Sequence, residues 1–556
     1  MTLLSSLKRP TLLKELSNKT YDLVVIGGGI TGAGIALDAA SRGMTVALVE
    51  KDDFASGTSS RSTKLIHGGL RYLKQFEINL VREVGRERAT VHQLAPHLVI
   101  AEKMLLPLTE DGTFGKFGTS LGLMVYDFLA GVEDDDKRRM LSKEETLALE
   151  PNLREDILKG GGFYAEYRTD DARLTIEIIK TAAKFGAHSI NYVKAENFIY
   201  DEQQQICGLI CRDELTEEPF KIKSKYVVSA AGPWVDQIRK VNKSLSNKHL
   251  FLSKGVHIVV PHERLPVNNS LYIDVPDGRM IFTIPRHRVT YIGTTDTPYK
   301  EDINHVLTRK EDVEYLLEGV NNMFPEVNLK VEDVVSSWAG LRPLIHEEGK
   351  SASELSRKDE IFESKTGLMS IAGGKLTGYR KMAQRIVDLV DKKMTKKYKV
   401  ELKECHTDKI VLEGGPFKDA DEVQKYTSTL EKEIISFGLD AAYAKYLVAN
   451  YGLQSNAIIE KLKSFNDPIE IALARAETWF CVHHELVIQP MDFFSRRSGR
   501  LYFNIDTIQP VMDAVLDDFV QYFDWSKEQR IQMRQEIEQA IYEAANFVYS
   551  AKTADG

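Results

Sequence analysis

The chain has 556 residues, 43% of them hydrophobic and 28% charged, with a formal net charge of −8. That length exceeds what one hydrophobic core serves, so at least two domains are expected, and the balance argues against bulk disorder. The negative charge argues against a nucleic-acid binder, which needs surplus Lys and Arg, but leaves room for a local basic patch. The four cysteines, Cys207, Cys211, Cys405 and Cys481, lack CxxC spacing. They suggest neither a disulfide framework nor a zinc site, and a reducing cytoplasm is the expected setting.

The N-terminal MTLLSSLKRPTLLKEL does not read as a secretory signal, because Lys8, Arg9 and Pro10 break its apolar run. No apolar stretch reaches the roughly 18 residues that a bilayer span takes, so any membrane contact is expected to be peripheral. Residues 1–20 are expected to form a helical arm. The first strand is YDLVVI (21–26), a short β-branched run suited to burial on both faces. It leads through GGGITGAG into a helix closed by Gly43, and then into a second strand, 45–49, ending at Glu50. That is a βαβ unit of the usual size, about 30 residues.

Helices are expected near 75–95 and 170–186, and strands at 206–211, 225–231, 255–260, 280–284 and 289–294. The last four alternate poorly with helices and suggest a second, largely antiparallel sheet. The strand GLMSIAGG then leads into the helix TGYRKMAQRIVDLVDKK. Beyond about residue 400 amphipathic helices take over, which places a domain boundary there. The expected fold class is therefore α/β (α+β over the whole chain). A Rossmann-like dinucleotide domain over 21–400 is interleaved with an antiparallel substrate domain, mainly 80–225 and 250–340. A helical domain follows over 401–556.

Gly27, Gly29 and Gly32 form G-x-G-x-x-G between strand and helix. The three glycines suit a tight turn, close approach to a pyrophosphate and close helix–strand packing. The helix N-terminus offers unpaired N–H groups and positive dipole to phosphate. Glu50, 18 residues after Gly32, is placed to accept hydrogen bonds from ribose hydroxyls and would repel a 2′-phosphate. This fingerprint does not separate FAD from NAD.

Six further segments do: SSRSTKLIHGGLRYL (59–73), AAGPWVDQI (230–238), KGVHIVV (254–260), YIGTTDTPY (291–299), WAGLRPL (338–344) and GGKLTGYRKMA (373–383). Together they resemble the flavin-dependent glycerol-3-phosphate dehydrogenases, within the D-amino-acid-oxidase-like flavoprotein group. The resemblance covers nearly all of residues 20–390, and a helical C-terminal domain is also a feature of that family. It implies FAD as cofactor and oxidation of sn-glycerol 3-phosphate to dihydroxyacetone phosphate, with hydride transfer from C2 to flavin N5. It further implies electron delivery to membrane quinone from a cytoplasmic enzyme held peripherally at the inner face of the cell membrane. The implied cofactor site takes in Gly27, Gly28, Gly29, Thr31, Gly32 and Glu50. To these it adds Ser59, Ser60, Lys64, His67, Gly68, Gly69, Gly232, Gly374, Leu376 and Thr377.

The chemistry needs cations for a phosphate dianion, a base for the substrate hydroxyl and positive charge near reduced flavin. Arginine suits phosphate through its planar fork. Arg71, Arg342, Arg357 and Arg380 are the candidates, and the resemblance places Arg71, Tyr72, Arg342, Arg357 and Lys375 in the substrate pocket. Arg380 suits a structural pairing equally well, and Arg357 suits a surface position. Lys375 sits in a strand-to-helix turn whose amides could stabilise the flavin N1–C2=O edge. His257, in an apolar strand, is the expected base or substrate-orienting group, with His67 the other placed histidine. The arginines of FFSRRSGRLYF (493–503), Arg496, Arg497 and Arg500, are expected to dock the C-terminal domain.

No metal is expected, since His483 and His484 are adjacent and complete no ligand set. Membrane contact has three candidates: the helix after Pro10, GLMVYDFLAG (122–131) and the basic joint 392–399. Three other readings stay open: a glycerophosphate oxidase that uses O2, an amine or amino-acid oxidase, and a flavin-bearing binding protein without turnover. A homodimer is the general expectation for oligomeric state.

Overall fold

The computed structural model describes residues 4–67, 78–110, 138–275, 277–346 and 358–550. Strand β1 (Thr20–Ile26) is buried on both faces, as its composition requires. It is flanked in parallel by β2 (Val46–Val49) and by β4 (Pro219–Ser229), with β3 (His188–Ile190) beyond β2 and β8 (Met369–Gly373) beyond β4. Alternation divides the side chains of β1 between two cores. Leu23 and Val25 pack under α2 (Ile30–Ser41), α3 (Asp171–Lys184) and α4 (Tyr379–Tyr398). Val24 and Ile26 face Leu12 and Leu16 of α1 (Arg9–Asn18) and the strands Val193–Tyr200 and Ile206–Asp213.

Among the described residues the second sheet has ten strands, pairing antiparallel except where Ser270–Asp274 runs parallel to Ile100–Thr109. At its centre β5 (Leu250–Pro261) pairs with β6 (Val289–Gly293) and β7 (Ser336–Ile345). One face, carrying Val256, Ile258, Ile292, Ala339 and Leu341, buries against helix Lys310–Met323. The other face is shared between a cavity and the helical C-terminal segment. Val259, Tyr291 and Trp338 from this face join Phe493, Tyr502 and Phe503 in one core.

Two expectations need correction. The run 225–231 does not belong to the antiparallel sheet: Val227 and Val228 are fully buried in β4, which lies parallel to β1. Likewise residues 188–225, assigned to the substrate part, supply four strands of the first sheet. An apolar strand run looks the same whichever sheet it joins, so periodicity gave no sign of the sheet to which these four belong. Helix α4 continues through the basic run to Tyr398, and Lys399 then turns left-handed at φ 59°. Among the described residues no helix is long and apolar enough to cross a membrane. The apolar stretch 122–131 lies outside the described residues.

Candidate active site

The first wall of the site is backbone. Gly27 follows β1 at φ 111°, a conformation open to glycine, and a Cβ there would stand 2.6 Å from the Ala230 carbonyl oxygen. A Cβ on Gly32 would lie 1.9 Å from the Gly27 carbonyl oxygen, so α2 can approach the turn this closely only without a side chain. Gly29 caps α2, and Ser59 Oγ accepts the Ile30 N–H at 2.9 Å, which pins the loop after β2 to the helix start.

Glu50 follows the end of β2. Its Oε2 accepts the Gly28 N–H at 2.6 Å and its Oε1 the Asp52 N–H at 3.0 Å. Each oxygen retains a lone pair for a ribose hydroxyl. Burial pushes this carboxyl up to about 7, against the lowering effect of those two hydrogen bonds.

The second wall is made of side chains, and strand register explains it. His257 stands opposite Gly293 on one side and Trp338 on the other, and Gly255 opposite Gly340. The His257 ring stacks on Trp338 with centroids 4.8 Å apart and planes at 11°. It also lies over Gly293, where a Cβ would be 2.0 Å from its Cδ2. In the same way Arg342 crosses Gly255, where a Cβ would be 2.4 Å from Nη2. The Arg342 fork is held by Thr294 Oγ1 at 2.8 Å, the Thr295 carbonyl at 3.0 Å and Asp296 at 3.3 Å. The two glycines thus make room for a flat cation and a flat imidazole on a crowded sheet face.

Between the walls lies a cavity of about 1020 Å³, large enough for a dinucleotide and a small substrate. Gly27, Gly29, Thr31, Glu50, Ser59, His67, Gly232, Arg342, Gly374, Lys375, Leu376 and Thr377 all line it. The donor set, the bare turn and the buried carboxylate fit FAD. Several lining residues were not anticipated. Arg61, Thr63, Thr294, Thr295 and Asp296 sit inside segments already singled out, whereas Arg279 carries no sequence signal of its place.

Other expected residues are elsewhere. Gly28 turns toward Glu50 and Phe54, Gly32 packs on Gly27, and buried Ser60 faces its own turn. Lys64 is a correction: its buried ammonium pairs with Asp171 at 2.5 Å and also binds the Ser60 carbonyl, so it faces away from the cavity. Its charge is compensated inside the fold, which burial requires.

His257 is a correction too, because it does not line the cavity. Its Nε2 is 3.0 Å from Thr63 Oγ1, and Thr63 lines the cavity. Burial first, then the charges of Arg342 and Lys64, hold its pKa well below the usual histidine range, so the ring is neutral. Arg380 is spent on Glu87 and Thr407, the structural one of its two readings. Gly68, Gly69, Arg71, Tyr72 and Arg357 lie outside the described residues.

Comparison with known proteins agrees with this geometry. The FAD dependent oxidoreductase family matches residues 22–380, and the C-terminal domain of alpha-glycerophosphate oxidase matches residues 405–530. The aerobic glycerol-3-phosphate dehydrogenase of Staphylococcus aureus (strain USA300) is 51% identical over 547 residues, covering 97% of this chain and 98% of that protein. Its namesake from Bacillus subtilis (strain 168) is 48% identical over the same span. The crystal structure of the glycerol-3-phosphate dehydrogenase from Bacillus halodurans complexed with FAD is 42% identical. It aligns with a TM-score of 0.84 over 99% of this chain and 100% of its own. The L-alpha-glycerophosphate oxidase from Mycoplasma pneumoniae shares the fold, at 19% identity and a TM-score of 0.55 over 69% of this chain and 96% of its own. A glycine-built dinucleotide turn facing a cationic antiparallel wall, matched over nearly the whole chain, makes this protein a member of the FAD dependent oxidoreductase family with the C-terminal domain of alpha-glycerophosphate oxidase.

Proposed function

We propose that the protein oxidises sn-glycerol 3-phosphate to dihydroxyacetone phosphate and passes the electrons to membrane quinone. The observation that carries this reading is the single cavity joining the glycine turn to Arg342 and Lys375. Identities of 48–51% to proteins named aerobic glycerol-3-phosphate dehydrogenase support the substrate and the respiratory acceptor. FAD, when bound, supplies the two-electron acceptor for the C2–H bond.

The residues do the rest. Arg342 and Lys375 bring positive charge to a phosphate and to a developing alkoxide, where a preorganised cation contributes most. Arg71, Tyr72 and Arg357 complete the phosphate set in this reading. His257 acts through Thr63: as the Thr63 oxygen takes the substrate proton, the Thr63 hydroxyl passes its own proton to Nε2 of the neutral ring. The peripheral membrane contact is part of the same proposal, as is location at the inner face of the cell membrane.

Anaerobic addition of sn-glycerol 3-phosphate should bleach the flavin band, and a quinone analogue should restore it faster than air does. Rapid restoration by air with peroxide release would make the protein an oxidase instead. A flavin that does not bleach would defeat the substrate assignment.

A further inference from the structure

A set of buried charges at the junction of the first sheet and the C-terminal segment takes no part in this chemistry. Asp53 lies three residues past Glu50, and its side chain is fully buried. Its carboxylate accepts from Arg496 Nε at 2.6 Å, from both terminal nitrogens of Arg497 at 2.8 and 2.9 Å, and from Asn191 Nδ2 at 3.0 Å. Both arginines belong to a π-helical turn, Phe493–Arg497. Arg497 also donates to the Glu485 carbonyl at 3.0 Å, and Asn191 to the Leu486 carbonyl at 2.9 Å. The loop after β3 is gripped as well. Tyr192, left-handed at φ 54°, donates its hydroxyl to Asp492 at 2.6 Å, and its N–H to the Asp52 carbonyl at 2.9 Å.

These two loops carry one end of the cavity. The Val193 N–H bonds the Glu50 carbonyl at 2.7 Å, and the Ala55 N–H bonds the Gly28 carbonyl at 3.1 Å. Glu50, Lys51, Asp52, Val193 and Lys194 line that end. Burying so many charges costs stability that apolar packing would supply as well, but a bidentate fork fixes geometry as apolar contact does not.

We infer that Arg496 and Arg497 are positioning residues for the ribose end of the cofactor site: through Asp53 they hold Glu50 against the glycine turn. Retention of FAD thereby depends on the C-terminal domain. The inference rests on the FAD assignment and not on the choice of substrate.

The test measures FAD dissociation constants of apo-protein prepared from the full-length holoenzyme, by flavin fluorescence. The variants are Arg497→Gln, Asp53→Asn and Glu50→Gln, with Glu50→Gln also combined with each of the others. FMN is titrated in parallel, because it lacks the adenosine that Glu50 would hold. Arg497→Gln and Asp53→Asn should weaken FAD binding about tenfold, the scale of a lost charge-assisted bond, and leave FMN binding unchanged. Each should add less than about twofold on top of Glu50→Gln, the non-additivity expected of residues acting as one unit. Arg497→Lys should recover part of the loss.

Wild-type FAD affinity in both variants, equal losses for FAD and FMN, or full additivity with Glu50→Gln would each overturn the inference. Should Arg497→Gln fail to fold by circular dichroism, Arg496→Gln leaves the Arg497–Asp53 pair intact and decides the matter by the same titrations. Wild-type apo-protein that took up no FAD would overturn the cofactor assignment itself, and this inference with it.

Discussion

The two walls of the cavity use glycine for opposite purposes. In the β1–α2 turn, Gly27 and Gly32 let backbone meet backbone, and the ligand surface is made of N–H groups and a helix end. On the antiparallel wall, Gly255 and Gly293 vacate space for a neighbour's side chain: Arg342, laid across Gly255, lines the cavity, and His257, laid across Gly293, stands behind Thr63, which lines it. A backbone-built wall needs only its local sequence, whereas a side-chain-built wall needs correct register among three strands. The first should therefore fail through packing and cofactor binding, and the second through rate.

The largest effect is expected from Gly32→Ala. Its Cβ would meet the Gly27 carbonyl oxygen at 1.9 Å, backbone that cannot rotate away. Overpacking of this kind costs about 1–3 kcal/mol or more. The variant should lose FAD on gel filtration and melt well below the parent. An FAD-loaded protein with an unchanged melting point would break the distinction between the walls.

Arg342→Ala follows. It should retain FAD while kcat/KM for glycerol 3-phosphate falls about 10³-fold, the upper range for a removed electrostatic donor. Arg342→Lys should recover little of this, since an ammonium cannot reproduce the fork held by Thr294, Thr295 and Asp296. Wild-type kcat/KM in the alanine variant would remove Arg342 from the site.

Gly293→Ala tests the second use of glycine directly. Displacing the His257 ring should slow flavin reduction about 100-fold, the low end for a positioned acid–base group, with cofactor occupancy intact, and His257→Gln should behave alike. Reduction at the parent rate in both variants would take His257 out of the mechanism.

The smallest effect is a pH dependence at the first wall. Ribose hydroxyls donate best to an ionised Glu50, so FAD affinity should rise a few-fold as pH passes up through about 7, and Glu50→Gln should abolish the trend. The sign for the apo-protein is the reverse. A folded carboxyl raised above its unfolded value holds a proton that the unfolded chain has released. Glu50 therefore contributes stability at low pH that is lost as pH climbs from the ordinary carboxylate range through about 7.

What could be read from the sequence follows the same division. The βαβ unit, its glycines, Glu50 and the Gly374–Thr377 turn were legible, because each is a contiguous segment whose residues make their own local geometry. The helical C-terminal segment was legible from its periodicity. The assignment of 225–231 to the antiparallel sheet went wrong because an apolar strand carries no mark of its partner. Lys64 and His257 stand in segments that resemble a flavin site, but their side-chain directions depend on Asp171 and on Trp338, 107 and 81 positions away.

The arginine turn at 493–503 shows the limit most clearly. Its charge cluster was visible and its docking role was expected. That Arg496 and Arg497 converge on Asp53, 443 and 444 positions earlier, could be known only once the domains were packed. The dinucleotide turn, the layered architecture and the kind of chemistry could be read from the order of residues, since they rest on local conformation and hydrophobic period. Tertiary structure alone decided which cations face the cavity and which are neutralised within the fold, because a buried charge is defined by the partner it meets and not by its neighbours in the chain.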